Sequence, residues 1–193
     1  MNRNNGVKVK NGVTICIPVF NESQRVERAI RSAALQCDYL IVSDNASTDG
    51  TDQVCLRLQE EYKNMAFTRQ SENVGALNNF RYLLNQVETE FILFLGSHDH
   101  IDGNFVQVLK TILESNPDTE IAAGSLVYEF DSKQIPENLF NTWKGGELDS
   151  AAERATACIF DRNCLGWANY GIFRTSTLKD VFLLTMTRLM AST

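Results

Sequence analysis

Two histidines and a carboxylate stand together at the end of an apolar run. His98, Asp99 and His100 follow residues 91–95, and these two histidines are the only ones in the chain. Imidazole nitrogens and carboxylate oxygens together can hold a divalent metal, and a metal at such a place can clamp a diphosphate. A single histidine is more often a packing or surface residue than a ligand. The pairing of both with Asp99 favours the metal interpretation.

A second polar string, residues 43–50, follows another apolar run. Asp44 stands near its start, where a carboxylate can accept a hydrogen bond from the ring N–H of a bound nucleobase. An ordinary Asx or Ser/Thr turn that leads into a helix explains residues 47–52. It explains Asp44 less well, so Asp44 is a candidate for ligand recognition.

A third string carries an aromatic ring, an amide and a carboxylate in consecutive positions. Phe20 is suited to stacking on a base, and Asn21 and Glu22 are suited to hydrogen bonds with its edge. Asn21 is equally well explained as the N-cap of the next helix, with Gln24 completing a capping box. The chain contains neither GxGxxG nor GxxxxGK[ST], so neither a Rossmann dinucleotide cradle nor a Walker phosphate loop is indicated.

Alternating strands and helices must position these three strings. Short apolar runs alternate with helical patterns of roughly ten to fifteen residues, which predicts βαβ units and a parallel sheet with helices on both faces. Carboxyl ends of parallel strands meet at one edge, so the strings should converge in one crevice. The predicted strands are residues 13–18, 39–42, 66–69, 91–95, 121–130 and 167–173, helices start near residues 21, 51, 74, 104 and 149, and a long loop covers residues 131–146.

Length and composition describe one soluble domain. The chain has 193 residues, of which 44% are hydrophobic and 22% charged, and this size fits a single core. With 18 basic and 24 acidic residues the net charge is −6, so we expect no nucleic-acid partner. The five cysteines include no CxxC pair, the N-terminal stretch lacks the apolar run of a signal peptide, and no run is long enough to span a membrane. These features predict a cytoplasmic protein.

Taken in order, four strings resemble those of the family 2 glycosyltransferases, inverting enzymes of the GT-A fold that use nucleotide-diphosphate sugars. The strings are residues 13–22, 41–51, 73–80 and 91–99. The resemblance implies an α/β fold of GT-A type, with a Rossmann-like, mostly parallel sheet and helices on both faces. It also implies a single domain over residues 1–193, in which 1–128 bind the nucleotide sugar and 129–193 form part of the acceptor side.

The resemblance further implies roles for single residues. Asp44 would read the base, and residues 73–79 would close over the nucleotide. The full set of implied nucleotide-binding residues is Pro18, Phe20, Glu22, Asp44, Asn73, Gly75, Asn79 and Ser97. The implied metal ligands are His98 and Asp99, which would hold Mn²⁺ or Mg²⁺.

The metal string departs from the family pattern. Members commonly carry Asp-any-Asp where this chain has Gly96, Ser97 and His98. His98 therefore has to serve as the last ligand, and one carboxylate is missing. A neutral imidazole offsets less of a divalent charge than a carboxylate does, and it ceases to be a ligand when it is protonated.

The expected catalytic base is a second departure. An inverting transfer needs a carboxylate that takes the proton from the acceptor hydroxyl, and in the family it lies beyond the strand that matches residues 167–173. This chain offers only Asp180 there, which is better explained as a helix-surface residue, and residues 181–193 contain no acid. We therefore expect the base beyond Thr193, in a sequence truncated at its C-terminus.

The sequence thus predicts a metal-assisted, inverting glycosyltransferase of polysaccharide biosynthesis. It would move a sugar from a nucleotide-diphosphate donor, with a UDP-sugar favoured, to a hydroxyl of a glycan or lipid-linked acceptor. A lipid-linked acceptor would bring peripheral association with the inner face of the membrane. The alternative is a non-catalytic or truncated nucleotide-binding module of the same fold. A phosphoacceptor receiver domain built on Asp44 is weaker, because such a domain wants an acidic cluster after the first strand, where only Glu22 stands.

Overall fold

The structure, a computed structural model, describes residues 10–124 and 171–182. In these ranges strands and helices alternate in the predicted manner. The strands are β1 (Lys10–Val19), β2 (Tyr39–Asp44), β3 (Met65–Arg69), β4 (Thr89–Phe94), β5 (Ile121–Ala123) and β6 (Gly171–Arg174). The helices are α1 (Val26–Ala34), α2 (Thr51–Glu61), α3 (Ala76–Gln86) and α4 (Phe105–Ser115). Residues 175–182, directly after β6, are helical as well.

The strands form one sheet in the order β3-β2-β1-β4-β6-β5. β1 lies between β2 and β4 and pairs with both in parallel, and β2 pairs in parallel with β3. β6 runs antiparallel to both of its neighbours, β4 and β5. The predicted α/β fold with a mostly parallel sheet is therefore confirmed, and the strand expected near residues 167–173 is the antiparallel one.

Helices cover both faces of this sheet. Side chains alternate between faces along a strand. Ile15 and Leu93 pack in one apolar cluster with α1, α2 and α4, while Cys16 and Ile92 pack in another with α3 and the helical residues 175–182. Burial on two sides explains why the central strands are apolar at nearly every position.

The first helix begins later than the sequence predicts. α1 starts at Val26, and its N-cap residue Arg25 makes no side-chain cap hydrogen bond. The N–H groups of Arg25 and Val26 both donate to the carbonyl of Glu22, at 3.0 and 2.9 Å. Asn21 has a positive φ of 53°, and its Oδ1 accepts a bond from the Thr48 N–H at 2.9 Å. The N-cap and capping-box interpretation of Asn21 is therefore wrong, because its side chain is bound to the neighbouring turn.

Several predicted elements fall partly or wholly outside the described residues. The strand predicted over residues 121–130 is described only as Ile121–Ala123. The predicted loop over residues 131–146 and the helix near residues 149–160 lie outside. In the part of the chain that is described, no helix is both long and apolar enough to cross a bilayer.

Candidate functional site

The turns after β1, β2 and β4 lie side by side at the carboxyl edge of the sheet. Val19 and Asp44 are Cα partners in the β1–β2 ladder, and the Asn45 N–H donates to the Val19 carbonyl at 2.9 Å. Across the other ladder of β1, Oε1 of Glu22 lies 3.8 Å from Nδ1 of His98. Three strings that are distant in the sequence thus meet at one place, which we call the crevice.

Asp44 is fully buried at the end of β2, with 0% of its surface exposed. Its Oδ1 accepts bonds from the Ser47 N–H, at 3.1 Å, and from the Ser47 hydroxyl. On the other side, Nε of Arg69 lies 3.3 Å from Oδ2. The Asx-type turn therefore includes Asp44, contrary to the sequence interpretation. A ligand can reach this carboxylate only when a covering side chain moves.

Side chains of the β2 turn hold the backbone of the β1 turn. Three consecutive N–H groups of the β1 turn each donate to a side-chain oxygen of the β2 turn. They are Asn21 to Ser47 Oγ at 2.8 Å, Glu22 to Thr51 Oγ1 at 2.9 Å and Ser23 to Asp49 Oδ2 at 3.0 Å. Because backbone donors seldom go unpaired, these side chains set the path of the β1 turn.

Asp49 accepts further bonds within its own turn. The hydroxyl and the N–H of Thr51 donate to its Oδ1, at 2.6 and 3.1 Å. The hydroxyl bond, followed by the backbone bonds from Ser23 and Thr51, lowers the pKa of Asp49 from its ordinary value. The carboxylate is thus held in its charged form, in which it accepts all of these bonds.

Two non-glycine residues of the described chain have positive φ, and both lie in these turns. Asn21 has φ 53° and Ala46 has φ 61°. This region of backbone space costs a side-chain-bearing residue about 1–2 kcal/mol, less for Asn. Such conformations persist only where surrounding contacts enforce them, and they concentrate at functional sites.

The β1 turn presents an exposed ring beside a fixed carboxylate. Phe20 is 44% exposed, which leaves a ring face open for stacking. Glu22 is held by two bonds from Arg25, Nε to Oε2 at 2.7 Å and Nη2 to Oε1 at 2.9 Å. Pro18 precedes both residues and is partly buried in β1.

The predicted metal ligands lie together at the end of β4. Nε2 of His98 is 3.5 Å from Oδ2 of Asp99, and the His98 side chain is 52% exposed. Ser97, just before them, is buried. Among the described residues no group of three or more His, Cys, Asp or Glu side chains is placed to hold a metal ion. One imidazole and one carboxylate still fit a divalent cation that takes its other ligands from water and phosphate oxygens.

His100 does not share this position. Its Nε2 lies 2.8 Å from Nη2 of Arg28 and 3.3 Å from Oδ1 of Asp102. His98 and His100 therefore have different partners, although they are separated by a single residue in the sequence.

Asn45 ties the predicted nucleotide-closing segment to the end of β2. Its Nδ2 donates to Oδ1 of Asn73 at 2.8 Å, and its Oδ1 accepts the N–H of Val74 at 2.9 Å. Gly75 donates its N–H to the same Asn73 oxygen at 2.9 Å and has φ 82°, which favours glycine. Asn73 and Gly75 thus reach the crevice through Asn45, a residue that sequence reasoning passed over.

Asn79 lies apart from them, on the buried side of α3. Its Nδ2 donates to the Ser43 carbonyl at 2.9 Å, and its Oδ1 accepts the Ser43 hydroxyl at 2.6 Å. Asn79 is 2% exposed. Its amide anchors α3 to β2, so its contacts in the structure are with the protein itself.

A family model described as "Glycosyl transferase family 2" matches residues 14–176. The chain belongs to this family. Among curated relatives, the abequosyltransferase RfbV of Salmonella typhimurium (strain LT2) is 28% identical over 112 residues, which cover 55% of this chain and 34% of the relative. The match to this chain therefore spans about a third of the length of that relative.

Solved glycosyltransferase structures share the fold. TarS 1–349 of S. aureus, in complex with UDP-GlcNAc, superposes with a TM-score of 0.64 at 21% identity, over 87% of this chain and 46% of that one. The mannosyltransferase PcManGT of Pyrobaculum calidifontis, in complex with GDP-Man and Mn²⁺, superposes with a TM-score of 0.52 at 19% identity, over 57% and 34%. At these identities the likeness concerns the fold, which is of the GT-A type.

In this member of family 2, residues outside the predicted set hold the crevice together. Ser47 was assigned to an ordinary turn, Asn45 was given no role of its own, and Arg69 belongs to no motif. One signal could have found Arg69: in a parallel β2–β3 pair its position falls beside Asp44, and the two are Cα partners in the structure. No comparable signal shows that Ser47 and Asn45 each bridge two turns.

Proposed function

We propose that this chain binds a nucleotide-diphosphate sugar in the crevice and transfers the sugar to a hydroxyl of a glycan or lipid-linked acceptor, with inversion. The observation that carries the proposal is the meeting of the three turns, in which Glu22 lies 3.8 Å from His98. An exposed aromatic ring, a buried carboxylate and a histidine–carboxylate pair stand within this one arrangement. Membership of family 2 supports the same reaction class.

The nucleoside end of the donor belongs at the β1 and β2 turns. Phe20 offers its exposed face for stacking. Asp44 would accept the ring N–H of the base once a side chain beside it, such as that of Arg69, has moved. A base with such an N–H, as in a UDP-sugar, is therefore favoured. Asn73 and Gly75 stand beside this place through Asn45 and would close over the nucleotide. The UDP-GlcNAc bound by the similar TarS structure supports a uridine donor.

The diphosphate belongs at the end of β4. His98 and Asp99 would hold a divalent metal there, Mn²⁺ or Mg²⁺, and Ser97 lies directly before them. Such an ion supplies positive charge to a departing diphosphate. The similar PcManGT structure is a complex with Mn²⁺ and GDP-Man, which supports this assignment.

Among the described residues we assign no catalytic base. Asp180 is exposed on the helix that follows β6, and residues 181–193 contain no acid. The same observation favours a second candidate function, a nucleotide-binding module that does not catalyse transfer. An assay of UDP release distinguishes the two functions. Only a competent enzyme releases UDP from a UDP-sugar when metal and acceptor are present.

The remaining parts of the proposal concern organisation and location. Residues 1–128 would form the donor part and residues 129–193 a partial acceptor part of one domain. Cys16, Cys37 and Cys55 are free thiols, which is consistent with a reducing, cytoplasmic location. A lipid-linked acceptor would place the protein at the inner face of the membrane.

Calorimetry of the full chain with UDP, in the presence and absence of Mn²⁺, tests the donor site. We expect UDP to bind and Mn²⁺ to strengthen its binding. If UDP does not bind even at millimolar concentration with Mn²⁺ present, the donor-site assignment is wrong. ADP serves as the control nucleotide, because adenine lacks the ring N–H that Asp44 would accept.

A further inference from the structure

We propose that Ser47 is a positioning residue that holds the Asp44 carboxylate and the Asn21 turn in one geometry. The proposal rests on the proposed function, since Asp44 and Phe20 are the groups that would recognise the base. Ser47 would touch no ligand itself. It would keep the carboxylate and the aromatic ring in fixed relation before the nucleotide arrives.

The first support is the pair of contacts that the Ser47 hydroxyl makes. It donates to Oδ1 of Asp44 and accepts the Asn21 N–H at 2.8 Å. A hydroxyl has one donor and two acceptor sites, so both contacts form at once. Ser47 is 1% exposed, and water therefore does not compete for either bond.

The second support is the strained backbone on the far side of this link. Asn21 is at φ 53° and makes two hydrogen bonds with the β2 turn. Its N–H donates to the Ser47 hydroxyl, and its Oδ1 accepts the N–H of Thr48. Phe20 is the residue directly before Asn21. When the Ser47 bond is lost, one of the two restraints on this conformation disappears, and the ring of Phe20 gains freedom.

The third support is that the backbone of Ser47 is itself fixed. Nη2 of Arg69 donates to the Ser47 carbonyl at 2.7 Å, while Nε of the same guanidinium lies 3.3 Å from Oδ2 of Asp44. The Ser47 N–H donates to Asp44 as well, at 3.1 Å. The turn around Ser47 thus keeps its path without the hydroxyl, so a change at the hydroxyl acts on its two bonds, to Oδ1 of Asp44 and to the Asn21 N–H.

A purely structural serine would behave differently. It would add to the stability of the fold, but the folded fraction of a variant would bind every nucleotide as the wild type does. A positioning serine changes the affinity of the folded protein for the nucleoside part of the ligand. It also changes the preference between bases, because a loosened carboxylate and ring discriminate less.

The test compares Ser47→Ala, Ser47→Thr and the control Thr89→Val in the full chain. Thr89 is also buried, and its hydroxyl is bonded to Thr14 and to the Phe91 carbonyl, but it starts β4 at the opposite edge of the sheet. Two readouts are used: amide hydrogen exchange of Asn21 by NMR without ligand, and the dissociation constants of uridine, UDP and ADP by calorimetry.

In the wild type we expect the Asn21 amide to be protected although the residue is exposed. Ser47→Ala should raise the exchange rate of the Asn21 amide. It should also weaken the binding of uridine and of UDP by the same factor, about tenfold, as expected for one hydrogen bond. The preference for UDP over ADP should shrink. Ser47→Thr should recover most of the loss, and Thr89→Val should change none of these values.

Three outcomes overturn the proposal: an unprotected Asn21 amide in the wild type, unchanged exchange in Ser47→Ala, or unchanged affinities in folded Ser47→Ala. The first needs no variant, so it applies even when Ser47→Ala does not fold. Failure of the proposed function looks different. In that case the wild type binds neither uridine nor UDP, while the exchange of Asn21 still responds to Ser47→Ala.

Discussion

Asp44 and Arg69 are Cα partners at the ends of β2 and β3, and their side chains meet across the ladder. Nε of Arg69 lies 3.3 Å from Oδ2 of Asp44, a carboxylate that is fully buried while the Arg69 side chain is 46% exposed. A buried carboxylate without an ion-pair partner and hydrogen-bond donors destabilises the folded state. Arg69 supplies the partner, and Ser47 supplies the donors.

Replacing Arg69 by Gln should destabilise the fold more than an exposed charge change does. Asp44 would keep its Ser47 donors but lose its cation. Such a loss costs about 3–5 kcal/mol for a fully buried pair, and less here because Arg69 is half exposed. Urea unfolding measures the change. The double variant, Arg69→Gln with Asp44→Asn, should lose less unfolding free energy than the two single variants lose together. Strict additivity would show that the two side chains do not interact.

Asp44→Asn should weaken UDP binding by at least tenfold and leave the fold intact. The amide keeps the shape of the carboxylate, but it replaces one acceptor oxygen by a donor and removes the charge. Calorimetry with UDP and Mn²⁺ measures the loss. The matched control is Asp118→Asn, an exposed position just before β5, which should bind UDP normally. Equal affinities for both variants would remove Asp44 from the base site.

The alternation of strands and helices was predictable, but the order of the strands was only partly so. Runs such as that of β4 are apolar because both faces of the sheet are covered, and this pattern is visible in the sequence. The antiparallel β6 lies between β4 and β5. Its short apolar run carries no information on its direction or its neighbours, since these depend on pairing with residues far along the chain.

Within the site, the edge position of the residues was predictable and their partners were not. Glu22 and His98 were both expected at the carboxyl edge, and they are 3.8 Å apart. The role of Asn21 was misread, because an Asn before a helix has the same local signal whether it caps that helix or bonds to another turn. The hydrogen bond that distinguishes the two roles runs from the Thr48 N–H to Asn21 Oδ1. It is a tertiary contact, which the local sequence does not reveal.

His98→Ala should weaken Mn²⁺ binding in the presence of UDP, whereas His100→Ala should not. The two residues have different partners, Asp99 for His98 and Arg28 for His100. Manganese binding followed by electron paramagnetic resonance measures the difference without an activity assay. If both variants lose Mn²⁺ affinity to a similar extent, the assignment of His98 and not His100 as the metal ligand is wrong.

His98→Asp gives a second test of the same site through the charge of the ligand. A carboxylate offsets more of the charge of a divalent cation than a neutral imidazole does. In the presence of UDP the variant should therefore bind Mn²⁺ more tightly than the wild type, measured by electron paramagnetic resonance. If the wild type and the variant bind Mn²⁺ with the same affinity, His98 is not a ligand.

Asp49→Asn should reduce stability at neutral pH, and the deficit should vanish in acid. The Thr51 hydroxyl and the backbone N–H groups of Ser23 and Thr51 lower the pKa of Asp49 in the folded chain. A lowered pKa means that the charged carboxylate stabilises the fold above the ordinary Asp value, about 3.9. This contribution is lost as the pH falls through the lower pKa of the folded state. Urea unfolding of both proteins over a pH series checks the sign.

Because Asp49 is exposed, the effect of Asp49→Asn should also be modest and decrease with added salt. Asp118→Asn removes an exposed carboxylate at a turn outside the crevice. It should not show a stability deficit that disappears in acid. A deficit of Asp49→Asn that persists unchanged into acid would mean that the side chain acts through its shape and not through its charge.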